Sequence, residues 1–207
     1  ILDNFDANAQ EPCQAPKHPH HEDWGKREFP LTRELWIESD DFMTEPVKGF
    51  FRLYPPKDGQ PGSRVRLRHG FVIECTGYDT DATGNVIAVH AQYFPDSKSG
   101  TPGSDNYKVK GNLHWVSAAY AVKAEVRIYD RLFTDPQPDS GDKNFLDAIN
   151  ANSKEILTAY LEPGLKQANP EDRYQFERHG YFVADRFDHT TDKPVFNRCV
   201  GLKDTWK

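Results

Sequence analysis

The sequence predicts an all-β protein, on three observations. Its 14 Gly and 15 Pro are spread along 207 residues and cut the chain into short segments. Those segments alternate apolar with polar residues, the period of a half-buried strand, with no long helices between them. Thirteen Phe, nine Tyr and four Trp supply the aromatic side chains that strands accommodate well. A chain of this length can bury a sizeable core and holds one or two domains.

Residues 1–30 are polar and Pro-rich and read as a surface loop. His18, His20, His21, Glu22 and Asp23 are metal-ligand types, but HPHHED has no second cluster downstream to complete a coordination sphere, so no metal is assigned. Residues 31–41 carry a short strand core, Leu35-Trp36-Ile37. Residues 42–54 hold Lys48, Phe50, Phe51 and Arg52, and PPKDGQPGS over 55–63 is a turn-rich loop. Residues 64–73 read as one strand. Side-chain alternation puts Arg64, Arg66 and Arg68 on one face and Val65, Leu67, Phe71 and Ile73 on a buried one. A turn at 82–85 introduces a strand over 86–94, and 97–106 is a Gly/Ser/Pro loop.

Residues 108–133 lie in one of the two longest stretches without Pro. Alternation at 108–116 predicts one strand. Val126, Ile128 and Leu132 against Arg127, Tyr129 and Arg131 predict another. The small residues Ser117-Ala118-Ala119 between them form a crossing segment that bridges two β-layers. Residues 134–143 are a second loop and 145–149 a single helical turn. The stretch 155–161 suits the strand and helix periods alike. Over 173–186, Tyr174 and Phe176 alternate with Gln175 and Glu177 as a strand, and 194–207 is a final strand pair. There is no internal repeat.

Composition excludes several function classes. Cys13, Cys75 and Cys199 are odd in number, far apart and without a CxxC pair, which argues against a disulfide framework or zinc ribbon and for a reducing cytoplasm. No apolar run is long enough for a bilayer helix, and no signal-peptide pattern opens the chain, so no membrane partner is expected. The start at Ile1-Leu2-Asp3, without an initiator Met, reads as a piece of a longer protein. A Gly-rich phosphate loop and GxSxG are both missing, so neither catalysis nor a bound cofactor is expected of this stretch.

The net charge of −6 is unusual for a nucleic-acid binder, but its distribution is uneven. Lys48, Arg52, Lys57, Arg64, Arg66 and Arg68 face only Asp58 within residues 48–68, a local net of +5 on an acidic body. Such a patch can grip phosphate while the rest of the surface repels it. The three strand arginines, with Arg52 and Lys48, offer donors to phosphates and base edges, and Phe50 and Phe51 offer stacking faces. The competing reading is a solvated charged strand face. Gln175, Glu177 and Arg178 combine donors and acceptors able to read a base edge. Here the competing reading is a cross-strand ion pair.

Several unusual blocks occur in one order: His114-Trp115-Val116-Ser117-Ala118, Arg127-Ile128-Tyr129-Asp130-Arg131-Leu132-Phe133, Tyr174-Gln175-Phe176-Glu177-Arg178-His179-Gly180, and Val200-Gly201-Leu202-Lys203-Asp204-Thr205-Trp206. Together they resemble the anticodon-binding region of the bacterial glutaminyl-tRNA synthetases. The likeness is weak before about Arg27 and strong after Lys108. It implies two β-barrels like that of ribosomal protein L25: a proximal one from residues 1–115 plus 195–207, and a distal one from 116–194. It implies that Arg66 and Arg68 lie near the first anticodon base, Arg52 and Lys48 near the third, and Gln175 and Arg178 at a middle uracil. Lys203 and Thr205 become tail contacts. Gly49, Phe51 and His20 depart from the family, standing where Gln, Lys and Asn are expected.

The resemblance further implies a cytoplasmic, monomeric tRNA-recognition module of a ligase that joins glutamine to tRNA(Gln). Its partners are the anticodon loop and its own N-terminal catalytic domain, and ATP and Mg belong to that domain. This stretch should recognise RNA without catalysing. Two other readings are the equivalent domain of a glutamyl-tRNA synthetase and an L25-like barrel that binds rRNA. The QFER block and the VRLR pair favour the first. A secreted metal- or sugar-binding sandwich would need disulfides or a signal peptide.

Overall fold

In the computed structural model, which describes residues 1–202, the chain is all-β and divides into two units. The first comprises Ile1–Ala121 with Glu162–Gly164; the second comprises Val122–Leu161 and the chain from Leu165 on.

In the first unit, β1 (Glu11–Pro16) and β2 (Lys26–Leu31) form an antiparallel hairpin. Strand β3 (Leu35–Trp36) pairs with β8 (Val116–Ser117). A four-stranded sheet is made of β4 (Arg64–Leu67), β5 (Val72–Thr80), β6 (Val86–Tyr93) and β7 (Gly111–Leu113), in the order β6-β5-β4-β7. Strands β4 and β7 run parallel and the other neighbours antiparallel. The apolar sides of β4, β5 and β7 bury Val65, Leu67, Ile73 and Leu113 against Leu31, Leu53 and Phe71. The turn between β5 and β6 is built on Asp81, whose carboxylate accepts the backbone N–H groups of Thr83 and Asn85, each at 2.9 Å. The Thr83 hydroxyl and then the Asn85 side chain hold the Asp81 pKa down to about 2.

The second unit is a five-stranded sheet in the order β10-β9-β13-β12-β11. Its strands are β9 (Val122–Tyr129), β10 (Lys154–Leu161), β11 (Arg173–Phe176), β12 (Gly180–Ala184) and β13 (Val195–Val200). Val126, Phe182, Ala184 and Phe196 form its core, with Phe176 stacked on Phe182 at 4.3 Å between ring centroids. The ambiguous stretch before Leu161 is a strand, and Phe145–Ala148 is the single helical turn.

Five expectations need correction. The sheets of the described residues do not close into barrels: no set of strands pairs back on itself, although Ile1 to Asp3 bond along the β6 edge. Closure demands a consistent stagger and tilt around the whole ring, which these registers do not supply. Residues 195–200 do not return to the first unit. They lie between β9 and β12, parallel to β9 with Phe196 beside Val126. Residues 64–73 are a hairpin, not one strand. Leu67 N–H donates to Phe71 O and Gly70 N–H to Leu67 O, both at 2.8 Å, with His69 at φ 60°. Residues 173–186 fold likewise, as the β11–β12 hairpin with a turn at 177–179. The predicted 108–116 strand is shorter and broken at His114-Trp115.

Gly111 opens β7 because nothing larger fits. A Cβ there would lie 2.0 Å from the Phe51 carbonyl oxygen and 2.7 Å from a Val65 methyl. Gly111→Ala should therefore cost about 2 kcal/mol by overpacking. A lowered urea midpoint with unchanged slope is the expected signature; an unchanged midpoint would mean that the 50–53 backbone yields.

Candidate nucleic-acid interface

The basic segment is not an open arginine face. On the side of the sheet that carries Arg64 and Arg66, residues 95–107 fold back as two short 3-10 turns, Pro95–Ser97 and Pro102–Asn106. Ser97 is fully buried there, and its hydroxyl accepts the Val72 N–H at 2.8 Å. Arg66 holds this covering in place. One terminal nitrogen donates to Ser97 O at 2.7 Å and the other to Ser104 O at 3.1 Å. Arg64 pairs with Glu74 directly across the hairpin and lies over the Phe94 ring, 4.9 Å from its centroid.

Arg52 is likewise engaged. Its guanidinium pairs with Asp41, a carboxylate with no exposed surface. Asp41 is fixed by its backbone: Leu53 N–H donates to Asp41 O at 2.9 Å, and Asp41 N–H to Glu38 O at 2.9 Å. Buried charge is tolerated only when paired, so this contact is part of the fold. Lys57 pairs with Glu45 on the surface.

Arg68 and Lys48 stand apart from these clamps. Arg68 is exposed at the β4–β5 turn, where its N–H donates to Leu113 O at 2.8 Å and its own carbonyl accepts the Trp115 indole N–H at 3.0 Å. That anchorage fixes the turn's backbone. Lys48 is exposed at the tip of a turn closed by Phe50 N–H to Val47 O at 3.0 Å, with Gly49 at φ 91°. Phe50 is half-buried, whereas Phe51 is 54% exposed. Lys110, part of the Lys110-Gly111 block of the resemblance, is not among the contacts expected from the sequence. Its ammonium lies 5.0 Å from the Phe51 ring centroid. The signal was its place just before Gly111, the one residue small enough to abut Phe51.

In the second unit, Gln175 is exposed on the edge strand β11, paired with Tyr181 of β12. Tyr174 and Phe176 point to the core and thereby turn Gln175 outward. Glu177, Arg178 and His179 form the turn, closed by His179 N–H to Phe176 O at 3.0 Å, with Arg178 at φ 67°. Strand alternation alone would put Gln175 and Arg178 on opposite faces. The turn removes that constraint, because Arg178 lies past the end of the strand. Gly180 makes the turn possible: at φ 135°, its missing side chain leaves room for Val200 O, 2.3 Å from where a Cβ would stand. Lys203 and Thr205 lie outside the described residues.

The histidine-rich loop is held by ring contacts. His21 stacks on Trp24 at 5.0 Å and 18°, and His18 packs edge-on against His21 at 4.6 Å. Among the described residues no group of three or more His, Cys, Asp or Glu is placed to hold a metal. The three thiols are free, and burial pushes those of Cys13 and Cys75 up to about 11. No helix among the described residues is long and apolar enough to cross a membrane.

Two family models, both described as tRNA synthetases class I (E and Q), anti-codon binding domain, match residues 1–94 and 112–185. A glutamine–tRNA ligase of Polynucleobacter necessarius subsp. necessarius (strain STIR1) is 71% identical over 207 residues, covering 100% of this chain and 35% of that protein. One from Ralstonia nicotianae (strain ATCC BAA-1114 / GMI1000) is 68% identical over 206 residues, and one from Bordetella avium (strain 197N) 53% over 206; each match covers 100% of this chain and 34% of the relative. The chain thus spans about a third of the length of these relatives.

Proposed function

The chain belongs to the anti-codon binding domain family of the class I (E and Q) tRNA synthetases, and from that premise we propose that it reads the anticodon of tRNA(Gln) within a glutamine–tRNA ligase. The ligase chemistry, with ATP and Mg, belongs to a catalytic part outside this stretch, and the setting is cytoplasmic. The observation that carries the reading is the β11–β12 hairpin, which presents exposed Gln175 beside a turn that contains Arg178. An amide offers a donor and an acceptor to a uracil edge, and a guanidinium adds a charge-assisted donor. Arg68, on its anchored turn, is assigned to the first base and Lys48 to the third. Arg66 and Arg52 act one step back: Arg66 fixes the 95–107 covering, and Arg52 fixes the backbone that carries Phe51. Lys203 and Thr205 are assigned as tail contacts.

The test compares tRNA with a central uracil and tRNA with a central cytosine at one salt concentration. Loss of a base-directed contact costs roughly 1–3 kcal/mol and relaxes discrimination at that base, whereas loss of a phosphate contact weakens all tRNAs alike. Gln175→Ala should narrow the gap between the two tRNAs, and Glu177→Ala should do less. Equal weakening on both would make Gln175 a positioning contact.

A further inference from the structure

We infer that Phe51 and Lys110 form a clamp for one unpaired nucleotide, the ring stacking on its base and the ammonium neutralising its phosphate. The inference rests on the anticodon-binding reading and adds to it a pair of residues from two separate segments of the first unit.

The argument begins with how the ring is held. Phe51 is exposed, yet its backbone is fixed on both sides. Gly111 abuts its carbonyl so closely that a Cβ would overlap it, at 2.0 Å. The next residue, Arg52, pairs with buried Asp41, and Leu53 after it is a core residue that exchanges backbone bonds of 2.9 and 3.0 Å with Asp41 and Met43. An aromatic ring on a rigid backbone loses little entropy when a base stacks on it.

The cation is placed by the same contact. Lys110 directly precedes Gly111, so the approach that fixes Phe51 also fixes the root of Lys110, and its Nζ lies 5.0 Å from the ring centroid. A cation–aromatic contact at an exposed site is weaker than a stacked base. A base can therefore displace the ammonium from the ring and leave it beside the nucleotide's phosphate. The surroundings suit an anion, since residues 46–57 and 107–113 include no Asp or Glu. The site thus offers a π-face and an ammonium side by side. A nucleotide uses both halves.

The experiment uses the full chain and anticodon stem-loop RNAs carrying 2-aminopurine at one loop position at a time. One loop position should show quenched fluorescence on binding. Phe51→Ala should abolish that quench and weaken binding about tenfold, while Phe51→Trp should keep both. Lys110→Met should reduce the slope of log affinity against log salt by about 0.7. Thermal unfolding should be unchanged in all three, and if Phe51→Ala alone melts early, Phe51→Leu takes its place. Wild-type affinity and signal in both Phe51→Ala and Lys110→Met would overturn the clamp. So would weakening without a change in fluorescence at any position. If Gln175→Ala still narrows the uracil–cytosine gap in that case, the anticodon reading stands while the clamp falls. Absence of RNA binding by the wild type would overturn both.

Discussion

Arg52→Ala should lower the stability of the first unit by about 3 kcal/mol, the low end of what breaking a buried ion pair costs. The low end applies because the Arg52 side chain is 35% exposed, whereas Asp41 is 0% exposed. The variant takes the guanidinium away from a carboxylate that water cannot reach. In a unit of this size the change corresponds to a melting point lower by roughly 10 °C. Asp41→Asn should cost less, since the amide keeps hydrogen-bonding capacity without a buried charge. The double variant should be milder than the sum of the two, because the pair acts as one unit. The same measurement separates two roles for Arg52. A side chain that served mainly to touch RNA would weaken tRNA binding and leave the melting point where it was.

This prediction reflects a wider feature of the basic segment. At least four of its six cations, among the described contacts, have partners within the protein: Arg52 with Asp41, Lys57 with Glu45, Arg64 with Glu74, and Arg66 with loop carbonyls. The net of +5 seen in the sequence therefore overstates how many phosphates the segment can neutralise. The salt dependence of tRNA binding should be correspondingly shallower than six free cations would give.

The strand faces were legible in the sequence for a physical reason. Val65, Leu67, Phe71 and Ile73 are all buried, as alternation requires. Alternation could not reveal the hairpin between them. Residues paired across an antiparallel hairpin point to the same face, and Val65 pairs with Ile73. A three-residue loop conserves that parity, so one long strand and one tight hairpin bury the same residues. The β11–β12 hairpin hides in the same way, with Tyr174 opposite Phe182. In both, the usable signal was a His-Gly pair, His69-Gly70 and His179-Gly180, where the chain adopts turn dihedrals.

The partners of the arginines were not legible. Arg66 reaches Ser97 and Ser104, more than thirty residues away, because a loop without periodicity folds back over its face. The parallel pairing of β13 with β9 is equally non-local, so alternation within residues 195–200 does not say which unit they join. Periodicity reports which way a side chain points. It carries no information on what covers that side.

Acid should destabilise the first unit through Glu162 in particular. This residue follows β10 and is counted with the first unit, where Arg27 Nε donates to its carboxylate at 2.7 Å and His114 Nε2 lies 3.7 Å away. Burial alone would push the Glu162 pKa up. The contacts with His114 and Arg27, and then the charge of Arg27, outweigh burial and hold it down to about 2, against an ordinary 4.5. A pKa lower in the folded than in the unfolded chain contributes stability at every pH above the unfolded value. That contribution, ~3 kcal/mol at neutral pH, is lost as pH falls from about 4.5 to about 2. Asp81 and Asp185 are also held to about 2 and will add to the acid sensitivity of the whole chain. The contribution of Glu162 is therefore read as a difference between proteins. Urea midpoints measured at pH 7 and near pH 3 should fall further for the wild type than for Glu162→Gln, which cannot titrate at that position. Arg27→Met should lie between them, because His114 still faces the carboxylate. Equal falls in the wild type and Glu162→Gln would mean that the carboxylate is no better stabilised folded than unfolded, and that the contact with Arg27 only offsets its burial.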